Sequence, residues 1–122
     1  RGMHPNMIFR IAVREVEAWL LADAETFSKF SRISEALIPS KPDELPDPKQ
    51  TLINLVRGKA LKRIRDAVVP LPGSTAPIGR DYNSTLAEYV ETMWRPDIAR
   101  AHSPSLHKAM LALENFQPKW PT

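Results

Sequence analysis

The sequence predicts a mainly α-helical fold of four to six helices with one short N-terminal strand. Three observations carry that reading. Apolar residues recur at helical spacing over most of the chain. There are twelve prolines, about twice ordinary usage, and nine of them fall at helix starts or in two connections instead of one run. A single segment has the nearly continuous apolar, β-branched character of a buried strand. The chain has 122 residues, which suits one domain, 1–122, with a tail at 117–122.

The strand comes first. Met7, Ile8, Phe9, Ile11, Ala12 and Val13 form the apolar run, interrupted by Arg10. A lone strand cannot satisfy its own edges, so another segment pairs with it, or a second copy does, or the chain is the C-terminal part of a larger α/β domain. A homodimer is one way to do so.

A helix is expected from about 14 to 22. Val16, Trp19, Leu20 and Asp23 share its face, and alanine, leucine and glutamate favour it. Asp23 then caps a second helix, Ala24 to Phe30, with Phe27 and Phe30 on one side. Trp19 reads as core, with an indole N–H that needs a partner.

Pro39, Pro42, Pro46 and Pro48 exclude a long helix or central strand over 39–48. The segment reads as a connection with one helical turn after Ser40. Asp47 is the expected N-cap of the next helix, with Pro48 at its first position and Gln50 completing a capping box. Leu52, Ile53, Val56, Ala60, Ile64 and Ala67 follow at helical spacing. Gly58 interrupts them, so the stretch is one bent helix or two.

Residues 70–79 form a second connection rich in proline and glycine. A helix resumes near Tyr82, with Leu86, Tyr89, Val90 and Met93 on its apolar side and Asp81 or Asn83 as cap. Pro96 ends it by pushing Arg95 out of the α region, and opens a short helix from Asp97 to Ala101. Ser103 caps the last helix with Pro104 behind it. Leu106, Met110, Leu113 and Phe116 line its inner side, and Trp120 is the one tail residue able to dock.

Composition narrows the function. Hydrophobic residues make up 43% and charged residues 25%, which argues against wholesale disorder. The absence of cysteine removes disulfides, thiolate nucleophiles and cysteine zinc sites. No apolar stretch approaches the ~20 residues that span a bilayer, and no signal peptide precedes the first apolar run. No membrane partner and a cytoplasmic location are therefore expected.

Net charge is only +3, from 17 basic and 14 acidic residues, so position outweighs total. Arg57, Lys59, Lys62, Arg63 and Arg65 crowd one short stretch. Clustered cations can track phosphates and release counterions, which makes nucleic acid a candidate partner. The plainer alternative is a solvated helix face. No aromatic residue is interleaved to stack bases.

Few other residues point to chemistry. Glu15 and Glu17 follow the strand, where open α/β sheets place ligands, and a carboxylate there could hold Mg²⁺. Glutamate is also common in first helical turns because it complements the helix dipole. His102 and His107 are five apart, unlike the zinc-helix spacing, and His4 is remote. Neither a nucleophile elbow nor a glycine-rich phosphate loop is present, so no catalytic residue is assignable. Arg80, Asp81, Tyr82 and Asn83 gather at a helix start, where an anion could bind.

The run from Ile11 to Asp23, with Glu17, Trp19, Leu20 and Asp23, resembles a Glu-x-Trp-Leu-x-x-Asp segment of an uncharacterised bacterial family, the domain of unknown function numbered 4276. Three landmarks follow in the same order: Pro46-Asp47-Pro48-Lys49, Gly79-Arg80-Asp81-Tyr82-Asn83 and Ser103-Pro104-Ser105-Leu106. The resemblance covers about Ile11 to Leu113. It implies a Toprim-like α/β fold, in which an early glutamate and an Asp-x-Asp pair hold Mg²⁺ for phosphoryl-transfer chemistry on nucleic acid. It also implies an ATPase partner in phage-defence systems. This chain has no Asp-x-Asp and no preceding glutamate strand, so it matches the C-terminal portion of such a domain. The active site is then incomplete here. Only Glu17, as a metal ligand, and Arg14, as an anion contact, carry over.

Overall fold

The computed structural model describes residues 16–115. Within them the chain is helical. Residues 16–21 form α1. Then come α2 (Ala24–Ser31), α3 (Pro48–Lys59), α4 (Lys62–Val68), α5 (Tyr82–Thr92), α6 (Pro96–Ala99) and α7 (Pro104–Asn115). Three short 3-10 turns, Glu35–Leu37, Pro42–Glu44 and Arg100–His102, fill the connections. No strand occurs among the described residues. The expected strand at 7–13, Arg14 and the tail with Phe116 and Trp120 lie outside them.

The helix boundaries follow local chemistry. Asp23 accepts a hydrogen bond from the Thr26 amide and starts α2. Asp47 accepts from the Gln50 amide at 3.1 Å and starts α3, with Pro48 at its first position. The capping box is only half formed. Gln50 turns its side chain along the helix to Asn54 instead of back to Asp47. Ser103 accepts from the Leu106 amide and starts α7.

The 48–68 stretch is two helices, which carries the helix number past the expected four to six. Gly58 stays inside α3, and the break falls at Ala60 and Leu61, both extended. The Leu61 amide donates to the Ser31 carbonyl, so the end of α2 supplies the partner that the break requires. Asp81 holds the N-cap position of α5 but makes no side-chain cap bond, and Asn83 lies inside the helix. The short helix expected over Asp97 to Ala101 becomes α6 plus a 3-10 turn, since its last residues tighten before Ser103.

Two apolar clusters hold the helices. The larger joins Leu20, Phe27, Ile53, Val56, Ile64 and Tyr89 with their neighbours from α1 to α5. Phe27 meets the Tyr89 ring edge-on, with centroids 5.4 Å apart. The smaller joins Ala18, Trp19 and Ala22 to Ala99 and Leu106. Thus α1 has core on both flanks, which is why its side chains at 17–22 are all buried. Two residues expected to face inward do not: Val90 is exposed, and Leu113 is 56% exposed. Val90 adjoins the buried Tyr89 but sits on the outer side of α5, and Leu113 lies near the end of α7.

The 70–79 connection is tied at its base. The Gly79 amide donates to the Val68 carbonyl at 2.8 Å, and the Asp81 amide to the Ala67 carbonyl at 3.0 Å. A Cβ on Gly79 would lie 2.4 Å from the Ala67 carbonyl oxygen, so only glycine permits this approach. The turn at the loop tip uses Gly73 at φ 81°.

Candidate functional site

Three long-range polar contacts order the interior around α1. Tyr82 donates its hydroxyl to Glu17 Oε2 at 2.7 Å. The Trp19 indole N–H donates to Ser105 Oγ at 2.8 Å. Arg95 donates to Asp23 from its amide, Nε and Nη2 at 3.0, 3.1 and 2.8 Å. Burial alone would raise the Asp23 pKa. The bonds from Arg95 and Thr26 outweigh it and hold the carboxyl below its ordinary value. Burial, then the hydrogen bond to Glu17, pushes the Tyr82 phenol well above its usual range.

These contacts decide what Glu17 offers. It is 4% exposed, and its Oε2 is engaged by a hydroxyl. Mg²⁺ sites take one or two carboxylates and keep room for water and substrate oxygens. Among the described residues no group of three His, Asp or Glu side chains comes together around a metal position. Glu17 serves here as the acceptor that lets Tyr82 be buried.

The basic stretch is divided by the break at Ala60. Lys62 pairs with Asp66 at 2.6 Å, and Arg63 with Glu88 at 3.5 Å. Arg57, Lys59, Arg65 and Arg80 meet no carboxylate within ion-pair distance among the described residues. Arg57 and Arg65 line one groove of about 700 Å³, between α3 and α4 on one side and the tied loop on the other. That volume lies within the range of ordinary ligand clefts. Leu71, Pro72, Ala76 and Pro77 form its loop wall.

Arg57 is positioned by its own helix. Asn54 Oδ1 accepts from Gln50 Nε2 at 2.9 Å and from Arg57 Nη1 at 3.0 Å. A guanidinium has five N–H donors, so most of those on Arg57 are left for a ligand. Arg65 is half-buried in the middle of α4. Asp66 also lines the groove, with Lys62 on its Oδ2. Arg80 borders a neighbouring recess shared with Asp66 and Leu71.

A second recess of about 370 Å³ contains Asp23, Glu25, Arg95 and His102. Its arginine is already held by two carboxylates, Asp23 at 2.8 Å and Glu25 at 3.4 Å. It presents no uncommitted cation, and the first groove is the better anion site.

Sequence reasoning found Arg57 and Arg65 but not the groove. Leu71, Pro72 and Pro77 looked only like a linker. The signal that marks them is the Gly79 approach, and it requires knowing that 68 and 79 touch. Among the described residues no helix is long and apolar enough to cross a membrane. No family model, curated protein or solved structure matches the chain.

Proposed function

We propose that the chain is a helical interaction module that engages an anionic partner through Arg57 and Arg65, with Lys59 and Arg80 at the margin. One observation carries this reading. Of the five clustered cations, the two that line the groove lack carboxylate partners among the described residues, whereas Lys62 and Arg63 each lie within ion-pair distance of an exposed carboxylate. Guanidinium pairs with carboxylate or phosphate oxygens through two parallel bonds, which gives such a site geometry as well as charge. Retention on an immobilised sulfated polysaccharide tests it. The full chain should bind at low salt and elute as salt rises, and Arg57→Gln with Arg65→Gln should elute much earlier. Equal retention of that variant overturns the reading.

A second reading treats the chain as the C-terminal part of a Toprim-like, nucleic-acid-processing protein. It is favoured by the meeting of the landmark segments. Glu17 bonds Tyr82 of the Gly79–Asn83 landmark, and Trp19 bonds Ser105 of the Ser103–Leu106 landmark. Three of the four segments that carry the resemblance thus meet in the interior. Any metal site must then draw on residues outside those described. An upstream reading frame with a glutamate strand and an Asp-x-Asp supports this reading. A parent gene without them removes it.

A further inference from the structure

The groove beside the tied loop selects among anions. Its two guanidiniums face an apolar wall of Leu71, Pro72, Ala76 and Pro77, and Leu71 is 75% exposed. No aromatic residue lines it, so it has no platform for stacking bases. The cations that would extend a phosphate track, Lys62 and Arg63, each have a carboxylate beside them, Asp66 and Glu88, which lowers the positive potential there. Asp66 itself lies in the groove. That carboxylate repels phosphate and carboxylate alike, but a peptide backbone also brings amide N–H groups that donate to it, which a phosphodiester backbone lacks.

The geometry points to an acidic, extended protein segment as the occupant, its carboxylates paired with Arg57 and Arg65 and its aliphatic side chains set against Leu71 and the prolines. This rests on the anion-binding reading above and names the partner's chemistry. Charge complementarity supplies the first contact, because carboxylates match both guanidiniums. The apolar wall supplies the second, because an exposed leucine gains from being covered. The base of the loop is held by the bonds at Val68 and Ala67, and within it the Ser74 amide donates to the Leu71 carbonyl at 3.0 Å, which reduces the ordering that binding must supply.

Fluorescence anisotropy on the full chain separates the possibilities. One probe is a labelled peptide of alternating glutamate and leucine. The other is a single-stranded oligothymidylate of the same net charge. The peptide should bind more tightly than the oligonucleotide. Leu71→Ser should weaken peptide binding roughly tenfold, the effect of losing most of one leucine's burial. The same change should leave oligonucleotide binding unaltered. Leu71 is so exposed that the substitution leaves folding intact, which circular dichroism checks. Oligonucleotide binding as tight as the peptide's, or peptide binding indifferent to Leu71→Ser, overturns the inference while the anion site stands. If neither probe binds and Arg57→Gln with Arg65→Gln does not change retention on the polyanion, the underlying reading has failed instead.

Discussion

Arg95 places three hydrogen bonds on the buried carboxylate of Asp23, from a position 72 residues along the chain. Asp23 is 1% exposed and Arg95's side chain 42%, so the fork closes at the edge of the core. The same carboxylate starts α2 through Thr26. One side chain thereby sets a helix boundary and ties the end of α5 to α1.

Removing that carboxylate should be costly. Asp23→Ala strips the cap of α2 and leaves the Arg95 amide without its partner, an expected loss of about 3 kcal/mol. Urea unfolding should show a lower midpoint at an unchanged slope. A loss below about 1 kcal/mol would mean that the fork is decorative.

Acid should act through the same group. The folded pKa of Asp23 lies below its unfolded value, so its contribution is complete above the unfolded value, about 3.9. It disappears as pH falls through the folded pKa. Asp23→Asn should flatten the stability profile below about pH 4. An unchanged profile in that variant would assign acid sensitivity to other carboxylates.

Alkali offers a cleaner readout. The chain has two tyrosines, Tyr82 and Tyr89. Burial pushes both phenols up, reinforced for Tyr82 by Glu17 and for Tyr89 by the charge of Asp23, against the opposing bond from Thr26. A raised folded pKa means that the contribution to stability is complete below the unfolded value of about 10 and is lost as pH climbs past it. Phenolate absorbance should therefore appear together with the loss of helical circular dichroism, in one transition. A phenolate signal titrating near pH 10 with the helices intact would contradict the buried placement.

Two glycines should respond in opposite directions. Gly79→Ala places a methyl 2.4 Å from a backbone oxygen and must part α4 from α5. A loss of about 2–4 kcal/mol is expected, typical of forced overpacking with backbone shifts. Gly58 sits inside α3 with nothing near its absent side chain. Gly58→Ala should stabilise by about 0.5–1 kcal/mol through helix propensity alone. Thermal unfolding of the two variants side by side checks both signs.

The local part of this fold was legible in the sequence. Asp47 with Pro48, and Ser103 with Pro104, announce helix starts because their cap bonds span three residues. Phe27 and Phe30 show their shared face because helical spacing is a local property. The contacts that organise the interior were not legible in the same way. Nothing near Glu17 announces Tyr82, and nothing near Asp23 announces Arg95, because those pairs meet only after α5 has packed on α1. Glu17 reads as a free carboxylate in the sequence for the same reason: nothing in its own segment announces the Tyr82 hydroxyl from which it accepts. The basic stretch reads as one patch in the sequence, but the break at Ala60 puts Arg57 on α3 and Lys62, Arg63 and Arg65 on α4, where Arg65 lines the groove while Lys62 and Arg63 lie beside carboxylates.

That division of the basic residues is measurable by comparing two double variants. Arg57→Gln with Arg65→Gln, and Lys62→Gln with Arg63→Gln, remove the same net charge. Binding of the full chain to a soluble sulfated polysaccharide, titrated at several salt concentrations, measures each. The account predicts that the first pair of substitutions removes most of the affinity and flattens its salt dependence, while the second leaves both close to the parent values. Equal losses from the two pairs, or a larger loss from Lys62 and Arg63, would contradict it.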